Sequence, residues 1–229
     1  MKLELIEKKQ ETGNVFSFIF KPLKTISWQA GQYALYKLPH SHPDDRGDTR
    51  IFTISSPPYQ KNIMLTTRFF FHEGSSFKKA LFSKEIGEQI EVLRIQGHFT
   101  IEEPAVKLIF IAGGIGITPF HSILLEMEKK KNIKDIILVY SNKSKESVIF
   151  KNTLNRLEKT LQGINIQYIY SPQRCDKDYI KKSILDYQER IFYISGPIRL
   201  VKAVEDSLSQ LNIGREQIRK DYFPRTGEN

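Results

Sequence analysis

The sequence holds a single cysteine, Cys175, in 229 residues. An internal disulfide is excluded, and so is an iron–sulfur cluster held by four cysteines of this chain. No apolar run approaches the roughly 20 residues a membrane helix needs. The opening "MKLELIEKKQ" alternates charge with hydrophobe and lacks the apolar stretch of a secretory signal. These absences lead to the expectation of a soluble, cytoplasmic protein. Metal ligands are sparse too. His40 and His42 form an H-x-H in a Pro- and Asp-rich loop with no further ligand beside them, and His72, His98 and His121 stand isolated. A zinc site needs three or four protein ligands, so no metal is expected. Internal repeats and low-complexity linkers are missing as well.

What is present is enough apolar sequence, 40%, to bury a core, and a formal net charge of +9. The basic residues are scattered, with short runs at Lys129–Lys131 and Lys181–Lys182. Such a surface is either simply solvated or steers an acidic partner. Without an aromatic-interleaved basic stripe or a known binding motif, nucleic acid is not expected as a partner.

The chain changes rhythm near its middle. Up to about residue 104, "NVFSFIF", "QYALYKL", "RIFTIS", "IMLTTRFF" and "EQIEVLRI" place apolar residues at every second position, with Gly, Pro and Asp clusters between them. One short helical pattern, "SSFKKALFSKEIG", interrupts them. Short alternating strands of this kind predict an antiparallel β-barrel. After Pro104, "VKLIFIA", "DIILVYS", "INIQYIY" and "RIFYIS" are nearly continuous apolar runs, as in strands covered on both faces. Helical patterns at 118–131, 146–161, 177–187 and 197–210 separate them. That alternation predicts a parallel sheet with right-handed crossovers, an α/β domain. The expected domains are 1–104 and 105–229, with the boundary near Glu102 to Ala105, packed directly on one another.

Three features carry chemistry. The first is "FIAGGIGITPF". Gly113, Gly114 and Gly116 follow a predicted strand and offer three places where a phosphate meets no Cβ. Thr118 is the expected N-cap, with Pro119 at the first helical position, where its missing N–H costs nothing. Proline instead of a third glycine implies that a close helix–strand contact is lost. Taken alone, the stretch also reads as a glycine-rich turn before a helix. Some 20 residues on, where a dehydrogenase places an acid for the ribose diol, the chain reads "VYSNKSKES". Ser141 and Lys143 there suit a 2′-phosphate, hence NADPH, or form a solvated loop.

The second feature is "RIFTISSPP". Alternation puts Arg50 and Phe52 on one strand face and Ile51 and Thr53 on the other. An arginine beside an aromatic can clamp a phosphate and shield a planar ring, although an ordinary strand reads the same way. The third is "GSSFKKAL", where Gly74, Ser75 and Ser76 open a helix, either as an anion site or as a plain serine cap.

Together these stretches, with "AGQY", "YSNK", "YISGP" and a terminal "DYF", resemble the ferredoxin–NADP reductase superfamily over nearly the whole chain. The resemblance implies an FAD-binding barrel and an NAD(P)-binding domain. It implies that Arg50 binds the flavin pyrophosphate, helped by Gly74, Ser75, Ser76 and Arg68. Phe52 would lie against the flavin or its ribityl chain, and Thr53 near flavin N5. Gly114, Gly116, Thr118 and Pro119 would line the pyridine-nucleotide site, with Gly113, Gly196 and Pro197 around them. Thr53 and Ser195 would be the catalytic residues. The sequence departs from the pattern in three places. Ser195 stands where many members have cysteine. The barrel exit with Gly97 and Phe99 is short. The terminal "DYFPRTGEN" brings Thr226 where an aromatic often caps the flavin. The expected activity is FAD-dependent transfer from NAD(P)H to a separate redox protein such as an acidic ferredoxin or flavodoxin. A reductase that uses free flavin as substrate, and a non-catalytic nucleotide-sensing subunit, remain alternatives.

Overall fold

The computed structural model describes residues 1–70, 74–101, 107–131 and 135–223. The expected boundary at Glu102–Ala105, together with His72 and Thr226, lies outside the described residues. No helix among the described residues is long and apolar enough to cross a membrane.

The first half forms strands β1 (Lys2–Thr12), β2 (Val15–Pro22), β3 (Tyr33–Lys37), β4 (Thr49–Thr53), β5 (Ile63–Arg68) and β6 (Gln89–Gln96), with helix α1 (Ser76–Ser83) between β5 and β6. They make one antiparallel sheet in the order β4-β3-β6-β1-β2-β5. Its two outer strands approach at a bridge between Ile54 and Leu65, which curls the sheet into the expected barrel. The alternation of the sequence is the reason: Leu3, Leu5, Phe18, Phe20, Ile63 and Leu65 all point inward. Phe77 and Leu81 of α1 plug one end of that core.

The second half contains β7 (Lys107–Gly113), α2 (Ile117–Lys130), β8 (Asp135–Asn142), α3 (Lys151–Thr160), β9 (Ile164–Tyr170), α4 (Lys177–Ser183), β10 (Ile191–Pro197), α5 (Ile198–Gln210) and β11 (Ile218–Phe223). The sheet is wholly parallel, in the order β11-β10-β7-β8-β9. Leu108 and Phe110 of β7 pack under α2 and α3, while Ile109 and Ile111 pack on the α4 and α5 side. Burial on both faces is what the continuous apolar runs required.

Several expected bounds shift. The pattern at 146–161 divides into a 3₁₀ turn at Lys145–Ser147 and α3, and the pattern at 177–187 ends as a helix at Ser183. The fifth parallel strand, β11, was not expected. As an edge strand with "IRKDYF", it lacks the apolar continuity of the central strands.

The two halves meet through side chains. Phe99 from the barrel exit stands edge-on to Phe120 of α2, with centroids 5.5 Å apart, and to Tyr193 of β10 at 5.4 Å. The Tyr193 hydroxyl donates to the Thr100 carbonyl at 3.1 Å. His121 is not isolated. Its Nδ1 lies 2.8 Å from the Ser55 carbonyl, its ring stacks on Phe150 at 3.9 Å, and the adjacent Ser122 hydroxyl donates to the Ser56 carbonyl at 2.7 Å.

Candidate functional site

On strand β4 Arg50, 9% exposed, and Phe52 share a face as expected, but Ile51 and Thr53 do not share an environment: Ile51 is exposed, whereas Thr53, at the strand end, is 4% exposed. Phe52 turns toward the barrel core, 5.7 Å from the ring of Phe77 and 6.1 Å from that of Tyr36. The Arg50 guanidinium also lies over Phe77, at 5.8 Å.

A short loop wraps the guanidinium. Nη1 donates to the carbonyls of Arg46 at 3.0 Å, Gly47 at 2.9 Å and Thr49 at 2.6 Å. Nη2 donates to a carboxylate oxygen of Asp44. Nε is buried without a partner among the described residues. The other Asp44 oxygen accepts from the Ser76 backbone N–H at 3.1 Å, while the Asp44 N–H donates to the Ser76 hydroxyl at 2.8 Å. Asp44 thus bridges Arg50 and the start of α1. Partial burial raises the carboxyl's pKa, but hydrogen bonds from Arg50 and from the amides of Arg46 and Ser76 outweigh it and hold the group at about 2.

Ser75 is the N-cap of α1, its hydroxyl accepting from the Lys78 N–H at 3.3 Å, and Ser76 is the first helical residue. Gly74 precedes them. The Lys78 ammonium donates to the Arg68 carbonyl at 3.1 Å. Burial, together with the positive charges of Arg46, Arg68 and Arg50, lowers its pKa to about 8. Four cationic side chains crowd one place that holds the Asp44 carboxylate. Such a field favours an anion.

The cluster extends to the glycine turn. Arg68 Nη2 lies 3.7 Å from where a Cβ on Gly114 would sit. Gly114 has φ +51° and opens a 3₁₀ turn, Gly114–Gly116, that runs directly into α2. This corrects the expected helix start. Gly116 is the N-cap, Thr118 lies inside the first turn with its hydroxyl on the Ile115 carbonyl at 3.1 Å, and Pro119 is the third helical residue. Proline is still tolerated there, because the first-turn N–H groups have no intrahelical acceptor.

The close backbone contact expected to be lost is kept by another glycine. A Cβ on Gly116 would fall 2.2 Å from the Ser195 carbonyl oxygen. One on Gly113 would meet Leu200 at 2.7 Å and Pro197 at 3.1 Å. Gly113 and Gly116 are therefore closed by protein, and of the three expected approach points only Gly114 stays open. The same packing fixes Ser195 and Gly196 beside the turn. Ser195 is fully buried, and its hydroxyl, like that of Thr53, has no partner among the described residues. Ser141 pairs with Gly113 across β7 and β8, whereas Lys143 is exposed beyond the strand end.

Three contributors were not among the expected site residues. Asp44 reaches Arg50 and Ser76 through a fold-back of its loop. The Tyr140 hydroxyl donates to the Gly114 carbonyl at 2.9 Å and accepts from the Ile149 N–H at 3.3 Å, so it holds the turn. Asp221 on β11 is the register partner of Ser195, and burial raises its pKa to about 6. Among the described residues no cluster of His, Cys, Asp or Glu could hold a metal ion.

Residues 110–206 match the oxidoreductase NAD-binding domain family. The ferredoxin reductase component of a 3-ketosteroid-9-alpha-monooxygenase from Mycobacterium tuberculosis is 22% identical, over 97% of this chain and 65% of its own. The chain spans 58 to 65% of the length of such curated relatives. The flavohem-like FAD/NAD-binding domain of nitric oxide dioxygenase from Vibrio cholerae superposes with a TM-score of 0.83 at 21% identity, covering 98% of both chains. Ferredoxin–NADP+ reductase from Plasmodium falciparum, solved with 2′P-AMP, superposes with a TM-score of 0.81 at 18% identity, covering 97% of this chain and 95% of that one. Residues 110–206 thus carry an oxidoreductase NAD-binding domain, and the two halves of the chain together take the fold of these reductases.

Proposed function

We propose that the chain is an NAD(P)H-dependent flavoprotein oxidoreductase that passes electrons to a separate, acidic redox protein. One observation carries the reading. A line of neighbouring groups runs from Arg50 through Asp44, Ser76 and Lys78 to Arg68 and the open Gly114, so the barrel's cationic cluster lies against the glycine turn. The residues fit FAD. A crowded cationic pocket with a buried, unpartnered Arg50 Nε suits a pyrophosphate, and the buried hydroxyl of Thr53 lies three residues along the same strand.

In this reading Arg50, Ser75, Ser76 and Lys78 bind the flavin phosphates, with Arg68 between them and the second nucleotide, and Gly74 lets the chain approach closely. The flavin, when bound, supplies exchange between a two-electron donor and one-electron acceptors. Gly114 admits the donor's phosphates to the turn. Gly113, Gly116 and Pro197 set Ser195 and Gly196 rigidly at its mouth. Thr118 and Pro119 shape the first turn of α2. Thr53 and Ser195 each offer a buried hydroxyl to orient a ring. Ser141 and Lys143 would meet a 2′-phosphate, which favours NADPH as donor. Phe52 supports the site from within the barrel by its packing on Phe77.

The test is an absorption spectrum of the purified protein with FAD, followed by anaerobic titration with NADH and NADPH. Flavin bands that bleach with either donor support the reading. A protein that takes up no flavin refutes it. Arg50→Ala is expected to abolish FAD retention, because the pyrophosphate would lose a charge-assisted clamp.

A further inference from the structure

Asp44 occupies the place where an external anion would be expected. Its carboxylate takes the Nη2 edge of Arg50 and the first backbone N–H of α1 at once. Three carbonyls hold the Nη1 side of the same guanidinium. That division of labour is informative. The carbonyls fix where Arg50 sits, and they are held there by the chain itself. The carboxylate provides only charge and two acceptor oxygens, which a phosphate provides equally well. A phosphate cannot meet the Nη2 edge or the Ser76 amide while Asp44 stays.

We infer that Asp44 is an internal competitor for the phosphate of the bound flavin, displaced when FAD enters and restored when it leaves. This rests on the flavin reading above. The two states exchange one anion for another on the same donors, so much of the affinity of Arg50 and α1 for pyrophosphate is offset by the lost Asp44 contacts. The flavin is consequently held more loosely than the cationic cluster alone would allow, and it exchanges with free flavin. Asp44 sits between the exposed Pro43 and Asp45, and its carboxylate oxygen on Arg50 Nη2 also accepts from the Arg46 amide at 3.0 Å, a contact that displacement would break.

The experiment compares wild type, Asp44→Asn and Asp44→Ala for binding of FAD, riboflavin and inorganic pyrophosphate, by flavin fluorescence and calorimetry. Both variants are expected to bind FAD and pyrophosphate on the order of tenfold more tightly, with riboflavin, which has no phosphate, unchanged. In wild type, hydrogen exchange at the amides of Arg46 and Ser76 should change on FAD binding, Arg46 becoming faster as its acceptor leaves. FAD affinity equal to or weaker than wild type in both variants would overturn the inference and leave the flavin reading standing, as would riboflavin tightening as much as FAD. Asp44→Asn keeps the side-chain shape, so it guards against a misfolded Asp44→Ala. If neither wild type nor variants take up FAD at all, the flavin reading and this inference fail together.

Discussion

Replacing His121 with glutamine is expected to make the protein's stability less sensitive to mild acid. His121 lies on α2 with its ring stacked on Phe150 and its Nδ1 on the Ser55 carbonyl. Burial lowers its pKa from 6.5 to about 4, and the hydrogen bond to Ser55 opposes this only in part. The folded protein therefore keeps the ring neutral while the unfolded chain takes up a proton. Above pH 7 the two states bind the same number of protons at this site, and there is no penalty. As pH falls from about 6.5 toward about 4, the unfolded state gains a proton that the folded state refuses, and stability is lost. The full difference corresponds to about 3 kcal/mol, of which about 2 kcal/mol is gone by pH 5. His121→Gln removes the titration while keeping a polar group near Ser55. Its stability at pH 7 should drop by about 1 kcal/mol from lost stacking. The informative quantity is the change between pH 7 and pH 5, measured by urea unfolding at both. Wild type should lose about 2 kcal/mol more over that interval than the variant. Equal losses in the two proteins would show that His121 is not held neutral, and the burial argument would be wrong.

Other outcomes follow from the same geometry. Gly116→Ala should destabilise the protein by about 3 kcal/mol and lower Tm by roughly 6–12 °C, since the new Cβ would fall 2.2 Å from the Ser195 carbonyl; a melt unchanged within error would refute the packing. Arg190→Met should cost about 3 kcal/mol in urea unfolding, because the buried guanidinium joins Asp135 and Asp186 and also donates to the Leu108 carbonyl. Lys143→Glu should raise KM for NADPH about tenfold and leave KM for NADH nearly unchanged, if Lys143 meets a 2′-phosphate; equal effects on both would remove that role. Electron transfer to an acidic acceptor should slow steeply as salt is raised, given the +9 charge, and a salt-independent rate would exclude electrostatic steering.

The architecture was readable because side-chain periodicity reports burial directly. Leu3 and Leu5, and Phe18 and Phe20, recur at every second place on a one-sided sheet, while Leu108 to Ile111 run without a break on a sheet covered twice. Positions that failed depend on contacts distant in sequence or on how one local turn runs into the next. The helix start was misread because the 3₁₀ turn at Gly114 feeds α2 without a capping side chain, so Thr118 never needed to serve. Asp44 belongs to a loop whose composition says only that it turns; its meeting with Ser76 depends on a sequence separation of 32 residues. His121 looked solitary because its acceptor is a backbone carbonyl 66 residues earlier, and carbonyls leave no mark on a sequence.

Helix α2 starts at the glycine turn and is fastened, within its first six residues, to the two carbonyls that follow strand β4. One rigid rod is thereby moored to both halves of the molecule. A hinge between the halves would have to break those moorings first. Two nucleotides bound as proposed would be reached through movements of single loops and side chains.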